Sequence, residues 1–376
     1  MPKSIFSFFS GVGLLDLGFD TAGYDIVFVN EFKEEFLNAY RFARQNRIAD
    51  PIYGYHRCSI DDFFTCSYNA FLQHSIHLER NAGNIIGFVG GPPCPDFSVA
   101  GKNRGRNGEN GILAQSYVNL ITQFLPDFFV FENVKGLVKT ERHRVYFDEL
   151  KQQLQTAGYY ISDQVLNSLS FGVPQDRDRI ILVGIHRDFY GRNQHVVPEN
   201  NLQFPWLQHA LFGNAEEIKA EDWETTDPFH ENCNRYFPRQ TPNRYRELCV
   251  ETWFRRNNVD NHPNANDVFR VKQGLHKMQT IPEGDVSGKS FKRLHRWRYS
   301  PTAAYGNNEV HLHPYRVRRL SVAEAMAIQS IPAWFTLPAN MTLSNKFKVI
   351  GNGVPVLMAT AIAQTLSELL DEIVAN

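Results

Sequence analysis

Cys94 follows a Pro92-Pro93 pair, and two prolines in series fix the backbone that carries its thiol. The next stretch, 95–111, holds several glycines and the cations Lys102, Arg104 and Arg106, which favour the thiolate that a nucleophilic cysteine must become. The competing reading is a small apolar core residue, and that reading is preferred for Cys58 and Cys66. Glu132, followed by Asn133, closes a very apolar run. A carboxyl buried there has its pKa raised and can give up a proton near neutrality; a glutamate that only caps the next turn is the alternative. Gly11 and Gly13 permit a tight turn and a close backbone approach to a ligand, although a purely structural turn reads the same way. Glu31, about twenty residues further on, suits the two hydroxyls of an adenosine ribose.

For these groups to meet, several chain segments must end at one place. Apolar runs at 4–9, 26–30, 85–90, 128–131 and 179–185 read as strands. Helix-period stretches alternate with them: Phe32, Phe36, Tyr40 and Ala43 share a face, as do Leu113, Tyr117, Leu120 and Phe124, then Phe147, Leu150, Leu154 and Ala157. Pro126 and Gly158 mark the ends of the last two. This is the βαβ pattern of an α/β fold with an open parallel sheet, whose ligands gather at the carboxyl ends of the strands. Residues 9–13, Glu31, residues 91–94 and Glu132 all follow expected strand ends.

After residue 187 the pattern changes. From 190 to 310 the chain is rich in Asn, Pro, Arg and His, and a smaller irregular domain or a long insertion is expected. Between 286 and 320 it carries eight Lys or Arg residues against the single acid Glu309. Arg293, Arg296 and Arg298 are therefore candidate phosphate contacts, with a solvated charged face as the alternative. Ser321 and Glu324 form a capping box for a short helix ending near Pro332, and a final helix is expected over 356–374. A net charge of −1 argues against indiscriminate coating of nucleic acid. Five cysteines without a CxxC pair argue against a disulfide framework or a structural zinc site. The N-terminus lacks a basic segment followed by an apolar one, so a cytoplasmic protein is expected.

Six segments, in order, carry a resemblance. They are Phe9-Ser10-Gly11-Val12-Gly13, Gly91-Pro92-Pro93-Cys94, Phe131-Glu132-Asn133-Val134, Gly172 to Arg179 with its Gln175-x-Arg177-x-Arg179, Arg319 to Pro332, and Ile350-Gly351-Asn352-Gly353-Val354-Pro355. The set resembles the C5-cytosine-specific DNA methyltransferases of bacterial restriction–modification type. Departures from the family pattern are Ser7 in the place of Asp, Leu14 in that of Gly, Ser59-Ile60 in that of Asp-Ile, Pro95 in that of Gln and Val349 in that of Gln.

The resemblance implies a Rossmann-like S-adenosylmethionine-dependent methyltransferase sheet with a smaller irregular target-recognition domain. The catalytic domain would span 1–187, completed by 335–376, and the recognition domain 188–334. It implies Cys94 as nucleophile at carbon 6 of cytosine and Glu132 at ring nitrogen 3. Arg177 and Arg179 would orient the cytosine and its phosphate or support Glu132. The cofactor, S-adenosylmethionine with S-adenosylhomocysteine as product and no metal, would be held by Phe9, Gly11, Val12, Gly13, Leu14, Glu31, Phe32, Ser59, Ile60, Pro92, Leu113, Asn352 and Val354. Ser98, Lys102, Arg104 and Thr302 would join the basic segment in contacting duplex DNA, from which the target base is flipped. A monomeric bacterial or phage protein is expected, without membrane contact, alongside a separate endonuclease. The rivals are methylation of transfer RNA and a catalytically silent DNA-binding relative.

Overall fold

In the computed structural model, residues 1–93, 109–199, 201–231, 243–270, 274–288, 290–302, 305 and 311–375 are described. Cys94, Ser98, Lys102 and Arg104 lie outside the described residues.

The apolar runs pair as strands because burial on both faces removes the need for polar alternation. They are β1 (Lys3–Phe8), β2 (Asp25–Asn30), β3 (Tyr55–His56), β4 (Ile85–Gly90) and β5 (Phe128–Val134), followed by β6 (Tyr159–Asn167), β7 (Gln175–Asp176) and β8 (Asp178–His186). Seven of them form one sheet in the order β3-β2-β1-β4-β5-β8-β6. The first five are parallel, and β8 runs antiparallel to both β5 and β6. The parallel sheet expected from the sequence forms, and the reversal of β8 within it has a consequence for the site. Because β8 is reversed, its first residues sit beside the last residues of β5, with Arg179 opposite Val134.

One face of the sheet presents Phe6, Phe8, Phe88, Phe129 and Phe131 to helices α3 (Cys66–Asn81), α4 (Glu109–Phe124) and α6 (Glu141–Thr156). Two further helices, α1 (Leu14–Thr21) and α2 (Glu34–Arg44), follow β1 and β2, and a single turn, α5 (Gly136–Lys139), follows β5. The opposite face, with Ile5, Val89, Val130 and Val183, is covered by Met358, Ile362, Leu366 and Leu370 of the terminal helix Val356–Ala375. The terminal helix is long and apolar, and most of it is buried by core packing against the sheet.

Two parts of 188–334 pack with the sheet domain. Phe189, Tyr190, Leu202 and Phe204 join the cluster under the terminal helix. Val322, Ala325, Met326 and Ile331 pack with Val12, Leu14 and Leu17 behind the first strand end. Between these parts, Trp223, Tyr245, Leu248 and Trp297 gather around short helices. The capping box forms as the sequence predicts: Ser321 Oγ accepts from Glu324 N–H, and Ser321 N–H donates to Glu324 Oε2 at 2.8 Å.

Candidate active site

At the end of β1 the chain turns through three left-handed residues, Phe9, Gly11 and Gly13, with φ of 53°, 58° and 77°. The two glycines serve different ends. A Cβ on Gly13 would lie 2.3 Å from the Tyr40 ring, whereas nothing lies within 4 Å of the Cβ position at Gly11. Gly13 is thus a packing requirement, and Gly11 leaves its outer side open to a ligand. Glu31, at the end of β2, ties this loop down. Its Oε2 accepts from Gly11 N–H at 2.9 Å and its Oε1 from Lys33 N–H at 2.8 Å. Burial raises the Glu31 pKa, and the two amides act against that rise. Each carboxylate oxygen keeps a second lone pair for a hydroxyl.

Phe32 beside it presents an apolar ring that is 68% exposed. Asn352 is exposed, Val354 and Pro92 are buried, and Leu113 is half-buried against the core. Val12 and Ile60 are buried in the clusters behind the rim, and Leu14 fills the space beside Gly353. Ser59 caps the short turn Ile60–Phe64, where Asp61 accepts from Ser116 Oγ at 2.6 Å. An open glycine turn, a strand-end carboxylate and an uncovered ring fit a nucleoside-bearing cofactor.

Sequence reasoning missed the support behind this loop. Asp16, only 1% exposed, accepts from Ser7 Oγ at 2.7 Å and from Tyr40 Oη at 2.9 Å. Arg44 lies over the Tyr40 ring at 4.0 Å and donates to Gly13 O at 3.0 Å and to Asp20 at 2.9 Å. The available signal was an acid in the apolar first turn of the helix.

Glu132 lies within β5, opposite Ile181. Strand alternation puts Arg179 on the same face as Ile181, and the Arg179 Nε–Glu132 Oε1 distance is 2.7 Å. Both side chains are buried. Burial raises the Glu132 pKa, and Arg179 pulls against that rise. The backbone at Gly91 crosses directly over this carboxyl, since a Cβ there would lie 2.6 Å from Glu132 Oε2. Asn133 holds the same crossing, its Nδ2 donating to Pro92 O at 3.3 Å while its Oδ1 accepts from Val134 N–H at 2.8 Å. Burial pushes the Cys58 and Cys249 thiols up to about 12, which makes both inert.

Arg177 departs from expectation. It is 1% exposed, and its Nη2 donates to Gly351 O at 2.5 Å and to Gly353 O at 3.0 Å. That nitrogen is taken up by the backbone turn around Asn352. Thr302 Oγ1 donates to Asp176 O, next to the two-residue pairing of β7 with Ser300–Pro301.

A family model described as C-5 cytosine-specific DNA methylase matches residues 3–368. The chain belongs to that family. It is 54% identical over 368 residues to the type II methyltransferase M.NmeDI of Neisseria meningitidis serogroup C, covering 98% of this chain and 84% of that one. It is 28% identical to M.MthTI of Methanothermobacter thermautotrophicus, covering 99% of each. Among solved structures, Schizosaccharomyces pombe Dnmt2 methyltransferase superposes with a TM-score of 0.61 at 12% identity, covering 99% of both chains. That likeness shows the fold alone.

Two expected DNA contacts of the methylase are corrected. Arg293 is completely buried. Its Nε donates to Ile281 O at 2.9 Å, and its Nη1 donates to His313 O at 2.6 Å and to Arg316 O at 3.2 Å. Its Nη2 donates to Met278 O, and the guanidinium covers the Phe229 ring. Arg296 is buried against Glu283, with Nε–Oε1 and Nη2–Oε2 distances of 2.8 and 2.7 Å. Both arginines tie the irregular region together instead of facing phosphate. Arg298 remains half-exposed, over the Tyr299 ring.

Proposed function

We propose that this methylase takes its methyl group from S-adenosylmethionine at the rim of Gly11, Glu31, Phe32 and Asn352, and that it activates cytosine by covalent attack of Cys94. The methyl group reaches carbon 5 of a cytosine in a specific duplex sequence, as the modification half of a type II system with a separate endonuclease. The observation that carries this reading is the backbone of Gly91 lying against the Glu132 carboxyl. It sets Gly91 and Pro92, which precede Cys94 in the chain, beside the buried acid, and this supports Cys94 as the nucleophile.

The Cys94 thiolate adds to carbon 6, and the 5,6 electron pair moves into the ring toward nitrogen 3, where Glu132 donates a proton. Arg179 keeps the carboxyl oriented while this happens. Carbon 5 thereby becomes nucleophilic. S-adenosylmethionine supplies an electrophilic methyl group and leaves as S-adenosylhomocysteine. Removal of the carbon-5 proton to a base then restores the 5,6 bond and expels the thiolate of Cys94, and nitrogen 3 returns its proton to Glu132. The target must leave the base stack, at a cost of roughly a few kcal/mol. Ser98, Lys102, Arg104 and Thr302 would contact the DNA, and the irregular part of 188–334 would read the flanking bases.

Duplex DNA containing 5-fluorocytosine tests the reading, because fluorine cannot leave as a cation and the adduct is trapped. With the cofactor present, the wild-type chain should form an adduct that survives denaturing electrophoresis, and Cys94→Ser should form none while still binding S-adenosylhomocysteine. A wild-type chain that binds this DNA but never forms the adduct would overturn it. Transfer of labelled methyl to transfer RNA and not to duplex DNA would favour the RNA rival.

A further inference from the structure

We infer that Arg177 is a positioning residue for the cofactor, acting through the turn that carries Asn352, and not a contact to the base. The inference rests on the reading that S-adenosylmethionine binds at this rim. Arg177 is sealed from solvent, and one nitrogen of its guanidinium bonds the carbonyls of Gly351 and Gly353, the two residues flanking Asn352. Asn352 itself is exposed. The turn is also pinned from its other sides. Gln329 Nε2 donates to Ile350 O at 2.9 Å, and Val356 N–H donates back to Gln329 O at 3.2 Å.

Leu14 completes the seat. Its Cδ1 lies 2.3 Å from where a Cβ on Gly353 would stand, so a side chain at 353 would push Leu14 out of its place against the turn. The departure at residue 14 and the glycine at 353 are therefore one steric arrangement. Through it, Arg177 sets the height of the Asn352 side chain relative to the loop of Gly11. A charged donor holding two backbone carbonyls fixes such a turn more firmly than the turn's own bonds.

The test is binding of S-adenosylhomocysteine by calorimetry to the full chain without DNA. Arg177→Lys keeps the charge but ends short of the Nη2 position that bonds both carbonyls, and Asn352→Ala removes the exposed side chain alone. Each should weaken binding about tenfold, and the double variant should be little weaker than either single one, because both act through one turn. Affinity for duplex DNA without cofactor should stay within about twofold of wild type. Losses that add in the double variant would show that Arg177 does not act through Asn352. Unchanged cofactor binding with weakened DNA binding or trapping would return Arg177 to the base. If the wild-type chain fails to bind S-adenosylhomocysteine, the cofactor reading itself falls; if only the variants behave as wild type, the role of Arg177 alone is lost.

Discussion

The acid at position 132 is tuned by two opposed influences that mutation can separate. Burial raises its pKa, because an ionised carboxylate loses water that the interior does not replace, and Arg179 at 2.7 Å lowers it. The net rise keeps the proton on Glu132 above the ordinary carboxylic range, so activity should fall on the alkaline side as the acid ionises. In Arg179→Met the lowering influence is gone and the carboxylate is still less stable. The alkaline limb of the pH–kcat profile should then move to higher pH, even as kcat drops. A limb that stayed in place or moved to lower pH would mean that the observed ionisation belongs to another group. Glu132→Gln keeps the size of the side chain but has no acidic proton, and should cost about 10²–10⁴-fold in turnover at every pH. Methyl transfer measured across pH in single turnovers checks both.

At the scale of elements, the rim depends on how closely β4 and β5 end together. Gly91 has no left-handed backbone angle that would demand glycine, so its need is steric. In Gly91→Ala a methyl carbon 2.6 Å from Glu132 Oε2 must be relieved by moving either the carboxyl or the Pro92-Pro93 backbone. Either movement disturbs the reacting groups. The single-turnover rate should fall about 10²-fold, as for misplacement near 1 Å, with about 1–3 kcal/mol lost in urea unfolding. A variant that turned over at the wild-type rate would show that the crossing at Gly91 does not position the chemistry.

The same elements show what patterning reveals. The runs forming β1, β2, β4, β5 and β8 are mostly apolar because both sheet faces are covered, and they stand out in the sequence. β6 is an edge strand whose outer positions are only half-buried, so its signal is diluted by Ser162, Asp163 and Gln164. α3 buries Leu72, Ser75, Ile76 and Glu79, and the two polar members mask the apolar stripe. The direction of β8 was not legible either, because a strand between two helical patterns reads as parallel by default.

Across the whole molecule, the strand-end residues were legible because glycine, proline and a carboxylate after an apolar run are local signals. The fate of the arginines was not. Charge counting over 286–320 cannot distinguish a guanidinium that meets phosphate from one that organises a loop-rich region lacking a large apolar core, and Arg293 is the second kind. Its guanidinium bonds four backbone carbonyls, from Met278, Ile281, His313 and Arg316, and burial lowers its pKa to about 10, which leaves it charged at neutral pH. Arg293→Met would strand those carbonyls without a donor. Unfolding should then become easier by several kcal/mol, at about 1–3 kcal/mol for a buried carbonyl left without a donor. An arginine on phosphate would behave otherwise: its loss would leave folding unchanged and reduce the slope of log K against log salt for duplex binding by about one. Urea denaturation and a salt titration of DNA binding on the same variant therefore separate the two roles. A stable Arg293→Met protein with a shallower salt dependence would place this side chain on DNA after all, and the irregular region would need another source of cohesion.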